Sequence, residues 1–262
     1  MEKIGVFLAD RQVLFREGIH FTLSGEEDFE VTGETTSNEE VLNFIAEYPP
    51  RVAILNANQG RPSGIDITRR IKQNLPSVAV ILVMDSYNDE QLFSAMKSGA
   101  SACLSKDTDP DELVNTIRKV VQGDYPVSQA LLRPANASRI VDEFQAFSLI
   151  NEEVGNLLAH LLPTEAEILR RIAGESPIEE ITQALGISEE AIRHHLNLIL
   201  SKLVANDHSR KVIEATQSNL LSIISKAKEA GKPVADYITK DEFSSFKETM
   251  IERLKSFISE LG

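Results

Sequence analysis

Over the first 122 residues, short apolar runs alternate without exception with stretches of helical period. The apolar runs fall at residues 4–8, 31–34, 52–55, 78–83 and 102–104, and each is too short and too β-rich for a buried helix. Helix start signals stand between them. Ser37 with Glu40 reads as a capping box ahead of Val41, Leu42 and Ile45, and Asp109-Pro110 with Glu112 repeats the device ahead of Leu113, Ile117 and Val120. Strict strand–helix alternation predicts a doubly wound (βα)5 parallel sheet with right-handed crossovers. Functional residues in such sheets sit at the carboxyl ends of the strands. Here those ends carry Asp10-Arg11, Asn56, Asp85 and Lys106.

After Gly123 the pattern becomes all-α. Asp124-Tyr125-Pro126 and Pro134 mark a connector, and Ile140, Phe144, Phe147, Ile150 and Val154 line one stripe of a linker helix at 138–158. Three short helices follow. Pro163-Thr164 opens the first, with Glu167 at its capping-box position. Ser176-Pro177 opens the second, and Ser188 caps the third, which runs to Leu203. Gly186 suits the tight turn of a helix-turn-helix. Two amphipathic helices complete the chain, divided by Gly231-Lys232-Pro233. The last places Phe243, Phe246, Met250, Leu254, Phe257 and Leu261 on one face. The expected units are 1–122 (α/β), 123–160 (linker with helix), 161–212 (helix-turn-helix) and 213–262 (helical extension, a surface for dimerisation or a partner).

Charge narrows the function. A net charge of −13 over 262 residues argues against general coating of nucleic acid, but not against one local binding face. From Ser188 to Lys211 four basic residues stand against three acids, and three of the five histidines lie there. No run approaches 18 apolar residues, so no membrane association is expected. The single cysteine, Cys103, fits a reducing, cytoplasmic setting.

The segments IGVFLADRQVLFREGIHFTL, VAILNANQGRPSGID, VAVILVMDSYNDEQLFSAMKSGASACLSKD and LLPTEAEILRRIAGESPIEEITQALGISEEAIRHHLNLILSKL resemble response regulators of the NarL/FixJ family, which carry a LuxR-type helix-turn-helix. The resemblance covers about residues 4–122 and 161–212; the extension has no counterpart in it. It implies a receiver domain, whose pocket holds two adjacent acids, a phosphorylated aspartate, a hydroxyl residue and a lysine. Asp10 keeps the first acid and Lys106 the lysine. Arg11 replaces the second acid, Asn56 the phosphoacceptor and Asp85 the hydroxyl, and Cys103 stands at the aromatic switch position. An amide is neither the nucleophile nor the anionic Mg²⁺ ligand that phosphotransfer needs. Two acids facing two bases predict either a self-satisfied ion-pair network or, if Arg11 points to solvent, a vestigial pocket.

Cys103 lies in an apolar strand with no basic sequence neighbour, so inert core outweighs a redox role. His194 and His195 diverge by about 100° on a helix and cannot chelate one metal together. No metal, cofactor or enzymatic constellation is expected. By resemblance the third helix reads double-stranded DNA through Arg193, His194 and Asn197, with Ser188, Lys202 and Arg210 as phosphate contacts. The expectation is therefore a phosphorylation-independent transcription regulator, acting as a homodimer. The competing expectation is an adaptor or scaffold, using the receiver-like domain and the C-terminal helices on a protein partner without DNA.

Overall fold

The computed structural model describes residues 3–58, 60–86, 89–148 and 158–229. The first elements follow the expected alternation: β1 (Ile4–Ala9), α1 (Val13–Ser24), β2 (Phe29–Thr35), α2 (Asn38–Glu47) and β3 (Val52–Asn56). Then come α3 (Gly64–Asn74), β4 (Ala79–Met84), α4 (Asp89–Ser98), β5 (Ala102–Ser105) and α5 (Pro110–Val121). The strands form one parallel sheet in the order β2-β1-β3-β4-β5. Chain order reverses beside β1, which opens a crevice at the carboxyl ends of β1 and β3.

Both faces of the sheet are covered, which explains why its strands read as unbroken apolar runs. Val6 and Leu8 of β1 pack with Ile19 and Leu23 of α1 and Leu113 and Ile117 of α5. The alternate residues Phe7 and Ala9 face α2 and α3 through Val41, Ile45, Ile67 and Ile71. Each fully buried side chain of this size contributes about 1.5–3 kcal/mol, so the two layers hold the sheet rigid under its upper edge.

Local start signals differ in detail from the sequence reading. Ser37 does cap α2, accepting from the Glu39 amide at 3.3 Å. The Glu40 carboxylate, however, takes the Thr35 hydroxyl instead of closing a box on Ser37. Ser63 and Asp66 form a full capping box on α3.

A 3-10 helix (Pro126–Leu132) and α6 (Pro134–Ser148) follow α5. Together they cover α4 and the edge strand β5. Val127 N–H donates to Ser101 O at 3.2 Å. Arg133 pairs with Asp89 (3.0 Å), Arg139 with Glu90 (3.1 Å) and Lys97 with Glu143 (2.8 Å). The Arg139 guanidinium also lies 3.9 Å from the Phe93 ring centroid.

The remaining helices are α7 (Pro163–Ala173), α8 (Ile178–Leu185) and α9 (Glu189–Glu229). Gly186 has φ +66°, the left-handed conformation that ends α8 and turns the chain into α9. The box residue of α7 is Glu165, whose carboxylate accepts the Leu162 amide at 2.7 Å. Glu167 points elsewhere and pairs with Arg170 and Arg171. The reason is register: the helix starts at Pro163, two residues earlier than a Thr164 cap requires.

The helix expected at 188–203 and the one expected from 213 are a single 41-residue helix. No glycine or proline occurs between Ile187 and Ala230, so nothing in the chain breaks the backbone hydrogen-bond ladder there. The chain divides into two compact units, residues 1–143 with 161–204, and residues 144–160 with 205–262. Within the second, Asn206 clasps Ala159 in both directions, amide to carbonyl at 2.9 Å and 2.8 Å. The expected final helix with Phe243, Phe246 and Phe257, and Ile150 and Val154 of the linker stripe, lie outside the described residues.

Candidate functional site

The crevice at the sheet's upper edge brings four of the five expected pocket residues together. Asp10, at the end of β1, is 5% exposed, and Asn56, at the end of β3, is 3% exposed. The Asn56 side-chain amide donates to Asp10 Oδ2 at 2.9 Å. Its own carbonyl accepts the Asn58 amide at 3.1 Å. Lys106, just past β5, reaches back over the crevice and pairs with both Asp10 (3.1 Å) and Asp85 (3.0 Å). Asp85 is the outer member, with its side chain 61% exposed.

Arg11 does not sit with them. It is exposed on the turn after β1, while Asp10 and Asp85 are each paired with Lys106. The cause is the turn after β1. Asp10 Oδ1 accepts the Gln12 amide at 2.8 Å, an Asx-turn that starts α1 and directs residue 11 outward.

Two contributors escaped the sequence reading. Gln12 supplies that amide and accepts a hydrogen bond from Lys106 at 2.9 Å through its Oε1. Arg16 donates to the Asp10 carbonyl at 2.8 Å while its Nε holds Glu34 at 2.9 Å. The signal for Gln12 was present, since an aspartate in a turn commonly accepts the backbone amide two residues on. Arg16 gave none, because only the fold brings β2 beside α1. Lys106 also lies 5.1 Å from the Phe15 ring centroid. Cys103 is on β5, and burial pushes its thiol up to about 12, the behaviour of core rather than of a redox sensor.

The expected DNA-reading residues lie on the first four turns of α9. Ser188 caps the helix, its hydroxyl accepting the Ala191 amide at 3.1 Å. Arg193 pairs with Glu189 at 2.5 Å, both side chains half exposed. His194 is exposed, and His195 and Asn197 are partly buried. Opposite them Ile192, Leu196, Ile199 and Leu203 are buried. Arg193 and Asn197 line a cleft of about 260 Å³ whose other wall is Lys119, Asp124, Tyr125 and Gln129. Lys202 is placed differently from a phosphate contact. Its ammonium turns inward onto both carboxylate oxygens of Glu165. Arg210 is exposed, further along the same helix.

A parallel five-stranded sheet of order β2-β1-β3-β4-β5 with an acid and a lysine at its carboxyl edge, followed by a helical region, is the arrangement of the response-regulator class. Comparison with known proteins agrees. The response regulator receiver domain model matches residues 6–118. The transcriptional regulatory protein YhcZ of Bacillus subtilis is 30% identical over 222 residues, 84% of this chain and 99% of that protein. DegU of Brevibacillus brevis, also a transcriptional regulatory protein, is 29% identical over 84% of this chain and 96% of its own length. Among solved structures, the receiver domain of a putative response regulator NarL from Mycobacterium tuberculosis is 26% identical over 47% of this chain and 99% of that one, with TM-score 0.46. The chain belongs to the response-regulator family, among the NarL/LuxR-type transcriptional regulators, and these relatives are regulators rather than enzymes.

Proposed function

We propose that this chain is a transcription regulator that binds DNA through the start of α9 and whose receiver-like domain works without phosphorylation. The observation that carries the second half is the Asn56 amide donating to Asp10. A phosphoacceptor must be an anionic nucleophile, and Asn56 is a neutral donor turned toward the remaining acid. The same donor set argues against Mg²⁺. The lone pairs of Asp10 already meet the Asn56 amide, the Gln12 amide and the Lys106 ammonium, so an oxygen cage for a hard cation is not what these residues offer. The pocket is neutralised from within, as Lys106 joins Asp10 to Asp85.

DNA binding rests on family membership and on the exposed Arg193 and His194 at the start of a capped helix. Arg193 is suited to guanine edges and Asn197 to adenine, with Ser188 and Arg210 toward the phosphates. Lys202 is reassigned to holding the module together. In the arrangement described, Asn197 faces the cleft shared with α5 and the linker, so reading a major groove requires that cleft to open. The units of function are then 1–122, the linker 123–160, the helix-turn-helix 161–212 and the extension 213–262. Two helix-turn-helix modules on a two-half-site operator imply a homodimer.

The test is selection of duplexes from a random pool by the full chain with no phosphoryl donor. A recovered consensus supports the proposal, and Arg193→Ala then relaxes one position at a cost of about 1–3 kcal/mol. If no duplex is retained at low salt, the chain acts as an adaptor and the DNA reading is wrong.

A further inference from the structure

The cleft between the end of α5, the 3-10 helix and the start of α9 is lined by polar groups that the protein itself leaves unused. Lys119, on the last turn of α5, and Asp124, just beyond that helix, both line it. Gly123 fixes their place. With φ +92° it ends α5 in the left-handed conformation, and the Asp124 amide returns to the Lys119 carbonyl at 3.1 Å. A cation and an anion thus share one turn, yet neither side chain pairs with the other or with any other described residue. The same holds for the side chains of Tyr125, Ser128 and Gln129, and for Asn197 on the α9 side. The Asn197 Oδ1 is buried without a hydrogen-bond partner among the described residues.

Apolar surface completes the lining. Leu196 of α9, 1% exposed, contributes to it with Pro126 and Leu132 of the 3-10 helix. Convergent polar groups beside an apolar wall are the mark of a ligand site. The volume, about 260 Å³, is a little below the roughly 300–1,000 Å³ of pockets for drug-sized molecules, so the occupant is a small metabolite rather than a peptide. Arg193 also lines the cleft, but its guanidinium is engaged with Glu189 at 2.5 Å, which leaves Lys119 as the free cation among the described lining residues.

The geometry points to this cleft as the binding site of a small zwitterion, an α-amino acid with an apolar side chain. The ligand carboxylate meets Lys119 and its ammonium meets Asp124, both as charge-assisted hydrogen bonds. Its side chain lies on Leu196 and Leu132. A simple carboxylic acid would answer the lysine and leave the aspartate alone, and a simple amine would do the reverse. A zwitterion neutralises both. Occupancy then ties the turn after α5 to the start of α9 and keeps Arg193 and Asn197 from a duplex. That consequence rests on the DNA-reading assignment made above, whereas the binding itself does not.

The experiment is isothermal titration calorimetry of the full chain, without DNA, against L-leucine, L-valine and L-methionine. The comparators are 4-methylpentanoate, which lacks the ammonium, and 3-methylbutylamine, which lacks the carboxylate. Lys119→Met and Asp124→Asn each alter an exposed residue whose side chain has no partner among the described residues, so both keep their melting temperature. Arg70→Ala, at an exposed arginine of α3, is the control. The expected result is saturable binding of at least one amino acid, weakened about ten-fold or more for both comparators and in both cleft variants, and unchanged in the control. The same amino acid should weaken wild-type binding to the selected duplex about ten-fold and leave that of Lys119→Met unaffected. Binding of none of the three, binding that tolerates both substitutions, or binding that leaves duplex affinity unchanged overturns the inference. A chain that binds the amino acid through Lys119 and Asp124 but retains no duplex supports the site and refutes the DNA reading alone.

Discussion

Lys202 Nζ lies 2.8 Å and 2.7 Å from the two carboxylate oxygens of Glu165, a residue with no exposed surface. The same carboxylate accepts the Leu162 amide at the start of α7. One buried anion therefore ties the first helix of the three-helix module to the helix that carries Arg193 and Asn197. Removing the lysine leaves that anion without its counter-charge. Lys202→Ala is expected to destabilise the module by about 3 kcal/mol, and Arg193→Ala, which breaks only a half-exposed pair, by less than about 1 kcal/mol. Chemical denaturation of both variants checks this, and Glu165→Gln in the Lys202→Ala background should recover part of the loss. Equal stability of the two single variants would return Lys202 to the surface.

The pocket makes a parallel distinction between its two bases. Lys106 bridges Asp10, Asp85 and Gln12 with its side chain only 12% exposed, whereas Arg11 is exposed. Lys106→Ala should cost several times more stability than Arg11→Ala, whose effect belongs in the surface range of about 0–1 kcal/mol. Thermal melts of the two proteins side by side decide it. A large loss on Arg11→Ala would put the arginine inside the network after all.

Acetyl phosphate and beryllofluoride should leave the protein unmodified and its association state unchanged. Asn56→Asp alone should not restore phosphorylation, because Lys106 and the Gln12 amide still occupy Asp10 and Arg11 still stands in the second acid's place. Intact-mass spectrometry after incubation with the donor reads this directly. A phospho-adduct on the wild-type receiver-like domain would refute it.

Lys72 gives a pH signature that belongs to the sheet domain. It is a buried residue of the last turn of α3 and donates to the Val78 and Pro76 carbonyls at 2.7 Å and 3.1 Å. Burial lowers its pKa from 10.5 to about 8. Between those values the unfolded chain holds the proton and the folded chain does not, so stability rises with pH at up to about 1.4 kcal/mol per unit. Below about pH 8 both states are protonated and the contribution is flat. Denaturation midpoints from about pH 7 to about pH 9.5 should climb more steeply for wild type than for Lys72→Met, and identical slopes would show that the ammonium is solvated.

The sheet was legible because a strand covered on both faces has to be apolar throughout. All five expected runs are strands within a residue or two at either end. The pocket positions were legible for the same reason, since strand ends in a parallel sheet converge on one edge. The orientation of Arg11 was not, because a loop residue's direction depends on the Asx-turn that Asp10 makes with Gln12. Nor was the role of Lys202. Its partner lies 37 positions away, and a lysine on a helix reads the same in sequence whether it faces phosphate or a buried carboxylate. The division of α9 into two helices was the opposite case. The absence of any glycine or proline pointed to continuity, and the expected domain limit near residue 212 obscured it.

The most direct test of the account is fluorescence anisotropy of the unphosphorylated full chain on its selected duplex, titrated with salt, with and without acetyl phosphate. The account predicts sequence-preferring binding whose logarithm falls linearly with the logarithm of salt concentration, weakened by Arg193→Ala and indifferent to the phosphoryl donor. No binding at low salt, or binding that appears only after the donor is added, would contradict it.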